Sequence, residues 1–129
     1  MITYDDFKKV EIRAGKILSA EKVPDTDKLI KLSVDFNEFK EIAAIAVEGQ
    51  EAPVPVKVSA PRQIVSGISA YFPDPAVLVG RTCMFVTNLE PRTIKGLESN
   101  GMLFAISTDA GAFSLLEPGA GIPPGTRAA

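Results

Sequence analysis

Arg92 and Lys95 stand between two apolar runs, Thr82 to Leu89 and Met102 to Thr108, in company with Asn88, Ser99 and Asn100. Cations, amides and a hydroxyl set this close together suit one kind of chemistry, the donation of hydrogen bonds and positive charge to an anionic backbone such as phosphate. Pro91 and Gly96 stop the strand that ends near Leu89, and Gly101 precedes the next apolar run. Arg92, Lys95, Ser99 and Asn100 are therefore expected on an exposed connection held by rigid neighbours. The plainer alternative is an ordinary strand-linking loop.

Other chemistry lacks its residues. The chain has no histidine, which removes the commonest general base and metal ligand, and its single cysteine cannot build a structural zinc site. Asp25 and Asp27 belong to a Pro-Asp-Thr-Asp turn, where carboxylates serve backbone hydrogen bonding, and Asp5 and Asp6 read as solvated acids near the N-terminus. Cys83 sits in an apolar run as a small hydrophobe without a partner base. The glycines from Gly96 to Gly101 lack the flanking strand and helix of a phosphate-binding loop. A binder is expected, not an enzyme, and with it no metal and no cofactor.

The supporting elements read as strands. Val10 to Val23 forms one long strand with Ile12, Ala14 and Ile17 inward and Gly15 at a bend or bulge, and Pro24 to Asp27 turns the chain into a second strand carrying Leu29, Ile30, Leu32, Val34 and Phe36. Residues 37–60 read as an elaborated hairpin: Ile42 to Val47 is compatible with strand or helix, and Pro53, Pro55 and Pro61 keep the segment after it extended. Arg62 to Ile68 supplies a third strand. Asp74, Pro75 and Gly80 then bracket a short helix as N-cap, first-turn proline and terminating glycine. Thr82 to Leu89 and Met102 to Thr108 are the fourth and fifth strands. The pattern is all-β and permits a small barrel of OB or SH3 type, or a sandwich.

At 129 residues the chain is the size of one domain, 1–129, which should bury roughly two-thirds of its unfolded surface. No apolar run reaches the roughly 20 residues of a membrane span, the first residues lack the basic-then-apolar order of a secretory signal, and one cysteine excludes an intrachain disulfide. A cytoplasmic protein is expected. The net charge of −2 weighs against nucleic acid, since backbone binding rests on Lys and Arg. Much of that acidity lies in residues 32–80, which hold three Lys/Arg against six Asp/Glu.

Four ordered segments carry a family resemblance: Val10-Glu11-Ile12-Arg13-Ala14-Gly15, Pro24-Asp25-Thr26-Asp27-Lys28-Leu29, Arg62-Gln63-Ile64-Val65-Ser66-Gly67-Ile68, and Asn88 through Met102. Together they resemble the tRNA-binding OB domain of structure-specific tRNA-binding proteins, of the C-terminus of methionyl-tRNA synthetases and of endothelial monocyte-activating polypeptide. The resemblance implies a five-stranded OB-fold barrel with a short helix between strands 3 and 4, and leaves residues 37–60 without a counterpart. It also implies recognition of the outer corner of folded tRNA, by a homodimer or by a module accessory to an aminoacyl-tRNA synthetase. Asn88, Arg92, Ser99 and Met102 occupy positions of the family's Asn-x-x-Pro…Ser-x-Gly-Met pattern, and Asn100 departs from its usual glutamine. In an OB barrel the strand 1–2 and 4–5 loops face oligonucleotides, which adds Lys28 and Lys31 at the first loop and Lys95 at the second, with Arg13 and Arg62 extending the surface. Few aromatics are available for base stacking, so backbone and shape must carry recognition. The alternative within the same fold is a dimeric export-related chaperone that binds unfolded peptides. Phe113 to Leu116 is open to two readings, a dimer surface or a barrel-closing segment.

Overall fold

A computed structural model describes residues 1–42, 49 and 55–129. Its main sheet has five antiparallel strands, β1 (Ile12–Lys22), β2 (Ile30–Asp35), β5 (Arg62–Ser66), β6 (Thr82–Val86) and β9 (Met102–Leu103), in the order β5-β2-β1-β6-β9. The long β1 strand is shared: Lys16 to Lys22 pairs with β2 and Ile12 to Lys16 with β6. The sheet nearly closes where the Asn100 amide donates to the Gln63 carbonyl at 2.8 Å. The architecture is an OB-like barrel, as the resemblance implies.

Alternation builds the core. Ile30, Leu32 and Val34 of β2 point inward and meet Ile17, Phe36, Ile64, Leu78, Cys83, Phe85, Leu103 and Leu115, with Phe36 set edge-on to Phe85. Burial pushes the Cys83 thiol up to about 11, in keeping with a small hydrophobe. Gly15 has a different purpose from the expected bend. The register shift in β1 lies between Ile17 and Ser19, whereas a Cβ on Gly15 would stand 2.5 Å from Phe36 Cε1 and 2.6 Å from Val34 Cγ1. The glycine admits the core, and the bulge turns the strand.

The short helix after strand 3 is a 3-10 turn at Pro75–Leu78 with the Asp74 carboxylate accepting from the Ala76 amide, and a second such turn covers Ser69–Tyr71. The expected hairpin at 37–60 exists at its base, where β3 (Phe39–Ile42) pairs with β4 (Val56–Ser59). The rest of the Ile42 to Val47 reading, and Pro53, lie outside the described residues.

Two expectations need correction. The fifth strand is not continuous to Thr108: β9 is interrupted at Phe104, whose amide donates to the Met84 carbonyl and whose carbonyl accepts from the Leu116 amide, and β10 (Ala105–Ser107) forms a separate hairpin with β11 (Phe113–Leu115). Leu115 is buried in the core and the Leu116 carbonyl accepts from the Met84 amide at 2.8 Å, so this run serves the barrel. An N-terminal helix, α1 (Tyr4–Lys8), was not expected; it begins in a capping box in which Thr3 Oγ1 accepts from the Asp6 amide and the Asp6 carboxylate accepts from the Thr3 amide. The C-terminal segment lies along β1 beyond the reach of β2, through Ala14 to Thr126 and Ala128 to Ile12 bonds, each 2.8 Å.

Candidate nucleic-acid interface

The connection between Val86 and Met102 folds as a hairpin, β7 (Arg92–Ile94) and β8 (Leu97–Ser99), with Ile94 paired to Leu97. Its two-residue turn is Lys95-Gly96, at φ 50° and 78°. Positive φ at both positions is the type I′ geometry that matches strand twist, and glycine supplies the second position without strain. A lysine at the first carries local strain that glycine would avoid.

This hairpin is the common wall of three neighbouring depressions. On one side lies a groove of about 240 Å³ between Val65-Ser66-Gly67 and the Leu89 to Ile94 segment, bordered by Arg92 and Met102. On the other, Ile94 and Lys95 face Asp25 to Leu29 across the β1–β2 turn, which brings Lys28 to the same face. Lys95 and Leu97 also face Lys22 and Lys31. Lys31 is loosely paired with Glu21 at 3.5 Å, and no carboxylate among the described residues pairs with Lys28, Arg92 or Lys95. Met102 is 46% exposed and lines the groove instead of joining the core. Lys28, Lys31 and Lys95 thus line adjoining depressions on one side of the hairpin, joined there by Lys22 and by the acids Asp25, Asp27 and Glu21, while Arg92 and Met102 line the groove on its other side with Glu90. Lys22 is absent from the residues expected from sequence; its place at the end of β1, two residues before the turn at Pro24, is the signal that could have found it.

The remaining expected site residues have other partners. Ser99 is buried, not exposed: its Oγ accepts from the Val65 amide at 3.0 Å and donates to the Gly101 carbonyl, so the hydroxyl stands in for a ladder bond where the barrel closes. Asn100 is half-buried on the same seam. Asn88 pins the segment ahead of β1, with Oδ1 accepting from the Glu11 amide and Nδ2 donating to the Lys9 carbonyl. Arg13 and Arg62 meet Glu38 at one end of the barrel. Arg62 grips it with two bonds, Nε to Oε1 at 2.7 Å and Nη2 to Oε2 at 2.9 Å, while Arg13 Nη2 reaches Oε2 at 3.2 Å. Both guanidinium carbons lie 5.4 Å from the centroid of the Phe36 ring. The Arg62 hydrogen bonds hold the Glu38 carboxyl below the ordinary glutamate value against the opposing effect of burial, and Glu11 is lowered likewise, first by the Thr87 hydroxyl.

An OB-like barrel whose cations gather on a hairpin beside an open groove defines the class, a small binding domain. The family model described as "Putative tRNA binding domain" matches residues 51–127, and the chain belongs to that family. It is 42% identical over 127 residues to the methionine–tRNA ligase of Methanoregula boonei and 43% over 126 to that of Myxococcus xanthus, covering 98% of this chain in each case. The chain spans about 15% of the length of those relatives. Among solved structures, a MetRS-related protein from Pyrococcus horikoshii superposes with a TM-score of 0.77 at 34% identity, covering 99% of this chain and 97% of that one. The chaperone CsaA of Bacillus anthracis shares the fold, with a TM-score of 0.72 at 24% identity over 100% of this chain and 99% of that one.

Proposed function

We propose that this chain binds folded tRNA without catalysing a reaction, through the β7–β8 hairpin and the depressions on either side of it, one toward the β1–β2 turn and one toward Val65-Ser66-Gly67. The observation that carries the reading is that Lys28 and Lys95 on one side of the β7–β8 hairpin and Arg92 on the other are exposed and held in no ion pair among the described residues, in a protein whose net charge is negative. Backbone phosphates meet these cations, and the 2′-hydroxyls and outer corner of the tRNA are read by the shape of the surface. Membership of the family and the synthetase relatives support tRNA as the nucleic acid. The site works in the cytoplasm as one domain, 1–129, either as a homodimer or as a module accessory to an aminoacyl-tRNA synthetase. Among the described residues, no helix is long and apolar enough to cross a membrane. Exposed Tyr4, Phe7 and Val10 line a hollow of about 310 Å³ with Arg127 and Ala128, and this face supports the dimer.

A chaperone reading shares the fold, and the CsaA likeness speaks for it. The cation-bearing hairpin favours RNA, which offers a phosphate at every nucleotide, over the apolar segments of an unfolded peptide. Titration with mixed folded tRNA, with an unstructured single strand of equal length and with an unfolded polypeptide separates the two, since a chaperone binds the polypeptide in preference to either RNA. Preference for the folded RNA supports the reading, and equal affinity for both RNAs overturns shape recognition.

A further inference from the structure

Arg62 does more than pair with Glu38. Its Nη1 donates to the Thr87 carbonyl at 2.6 Å and, at a longer 3.4 Å, to the Asn100 carbonyl. Those two residues are where the chain leaves the barrel after β6 and where it returns before β9, with the whole β7–β8 hairpin between them. One guanidinium nitrogen thus ties the base of the hairpin. A lone arginine has several rotamers, and what fixes this one is the carboxylate of Glu38, which occupies the opposite edge of the planar fork in a two-bond grip. Arg13 braces the same carboxylate, and its Nε donates to Thr87 Oγ1 at 3.2 Å. Glu38 itself is placed by the foot of the β3–β4 hairpin, where its carbonyl accepts from the Ala60 amide at 2.9 Å.

We propose that Glu38 is a positioning residue for the RNA-binding hairpin: it orients Arg62 so that the Thr87 and Asn100 carbonyls are held together and Arg92 and Lys95 are presented in a fixed place. The atypical segment at 37–60 thereby gains a role at its base. Two arginines that sequence alone assigns to phosphate serve instead as internal braces. The proposal rests on the tRNA-binding reading for its functional consequence, while its structural consequence stands apart from RNA.

The test is Glu38→Gln, which keeps the size and removes the charge, compared with the intact chain by amide hydrogen exchange and by tRNA titration across a salt series. Faster exchange between residues 88 and 100, with the β1–β2 ladder unchanged, is expected. It should accompany a loss of affinity of about threefold to tenfold, the scale of coupling through packed networks, with the salt slope preserved because no phosphate-binding cation is removed. Higher affinity with a steeper slope would instead identify Arg13 and Arg62 as phosphate ligands masked by Glu38, and would overturn the proposal, as would unchanged exchange in the hairpin. Arg62→Lys retains charge but loses the fork, and must loosen the same amides if Glu38→Gln proves too unstable to measure. If the intact chain binds no tRNA, the proposed function falls while the exchange comparison still decides the role of Glu38.

Discussion

Ser99 and Lys95 show how far residue type alone carries. Both stand in one motif, and both suit phosphate, yet one hydroxyl closes the barrel and one ammonium sits at a left-handed tip. The cation at a glycine-flanked turn was legible because a charged side chain is driven to solvent whatever surrounds it. A small hydroxyl fits either role, and its partner, the Val65 amide, is remote in sequence. Two expectations belong at this scale. Gly15→Ala should destabilise the fold by about 1–3 kcal/mol, the usual range for overpacking, since the added methyl meets Phe36 and Val34; a thermal melt equal to that of the parent would refute the close-packing account. The Cys83 thiol, buried and raised to about 11, should resist disulfide reagents at pH 8 until the chain unfolds. Rapid labelling of the native protein would contradict its placement.

Among the elements, the longer strands were the readable part: alternation identified β1 and β2, an apolar run identified β6, and the Asp74-Pro75 pair identified the turn at Pro75–Leu78. Short elements were lost. The three-residue strands β7 and β8 are below the length at which alternation can register, and α1 was missed although Thr3 and Asp6 have capping-box spacing with aspartate in place of glutamate. The Glu38 cluster links β1, β5 and the β2–β3 connection, residues no local pattern would join. Its pH dependence comes from the lowered Glu38 carboxyl. Because the folded value lies below the unfolded one, the stabilisation is complete above the ordinary glutamate range and is lost as pH falls through the folded value. Arg13, Arg62 and the nearby Glu11 are the charged groups around it, with Arg127 acting on Glu11. The melting temperature of the parent should therefore fall more steeply below about pH 4.5, the region where glutamate titrates, than that of Glu38→Gln. Parallel curves would remove Glu38 as a contributor. In β11, Leu115→Ala should cost about 2–5 kcal/mol of stability, the usual range for a truncated core leucine. A loss of association without loss of stability would restore the dimer reading of that strand.

Across the whole molecule, composition understates the capacity to bind an anion, because a net charge of −2 averages over faces that differ. Arg13, Arg62 and Arg81 are paired with carboxylates, whereas among the described residues no ion pair holds Lys28 or Lys95, which line one depression with Asp25 and Asp27, or Arg92, which lines the groove across the hairpin with Glu90. Affinity should be modest and strongly dependent on salt. Light scattering at high micromolar concentration should give twice the chain mass if the α1 and C-terminal face pairs two copies, and a strict monomer would contradict that assembly. The most direct test of the central claim is the slope of log affinity against log salt for mixed folded tRNA, measured for the parent and for the double variant Arg92→Ala, Lys95→Ala with melting temperatures taken alongside. Phosphate contact by Arg92 and Lys95 predicts weaker binding and a slope shallower by about one to two, one counterion per lost contact, at an unchanged melting temperature. Unchanged affinity and slope in a properly folded double variant would contradict it.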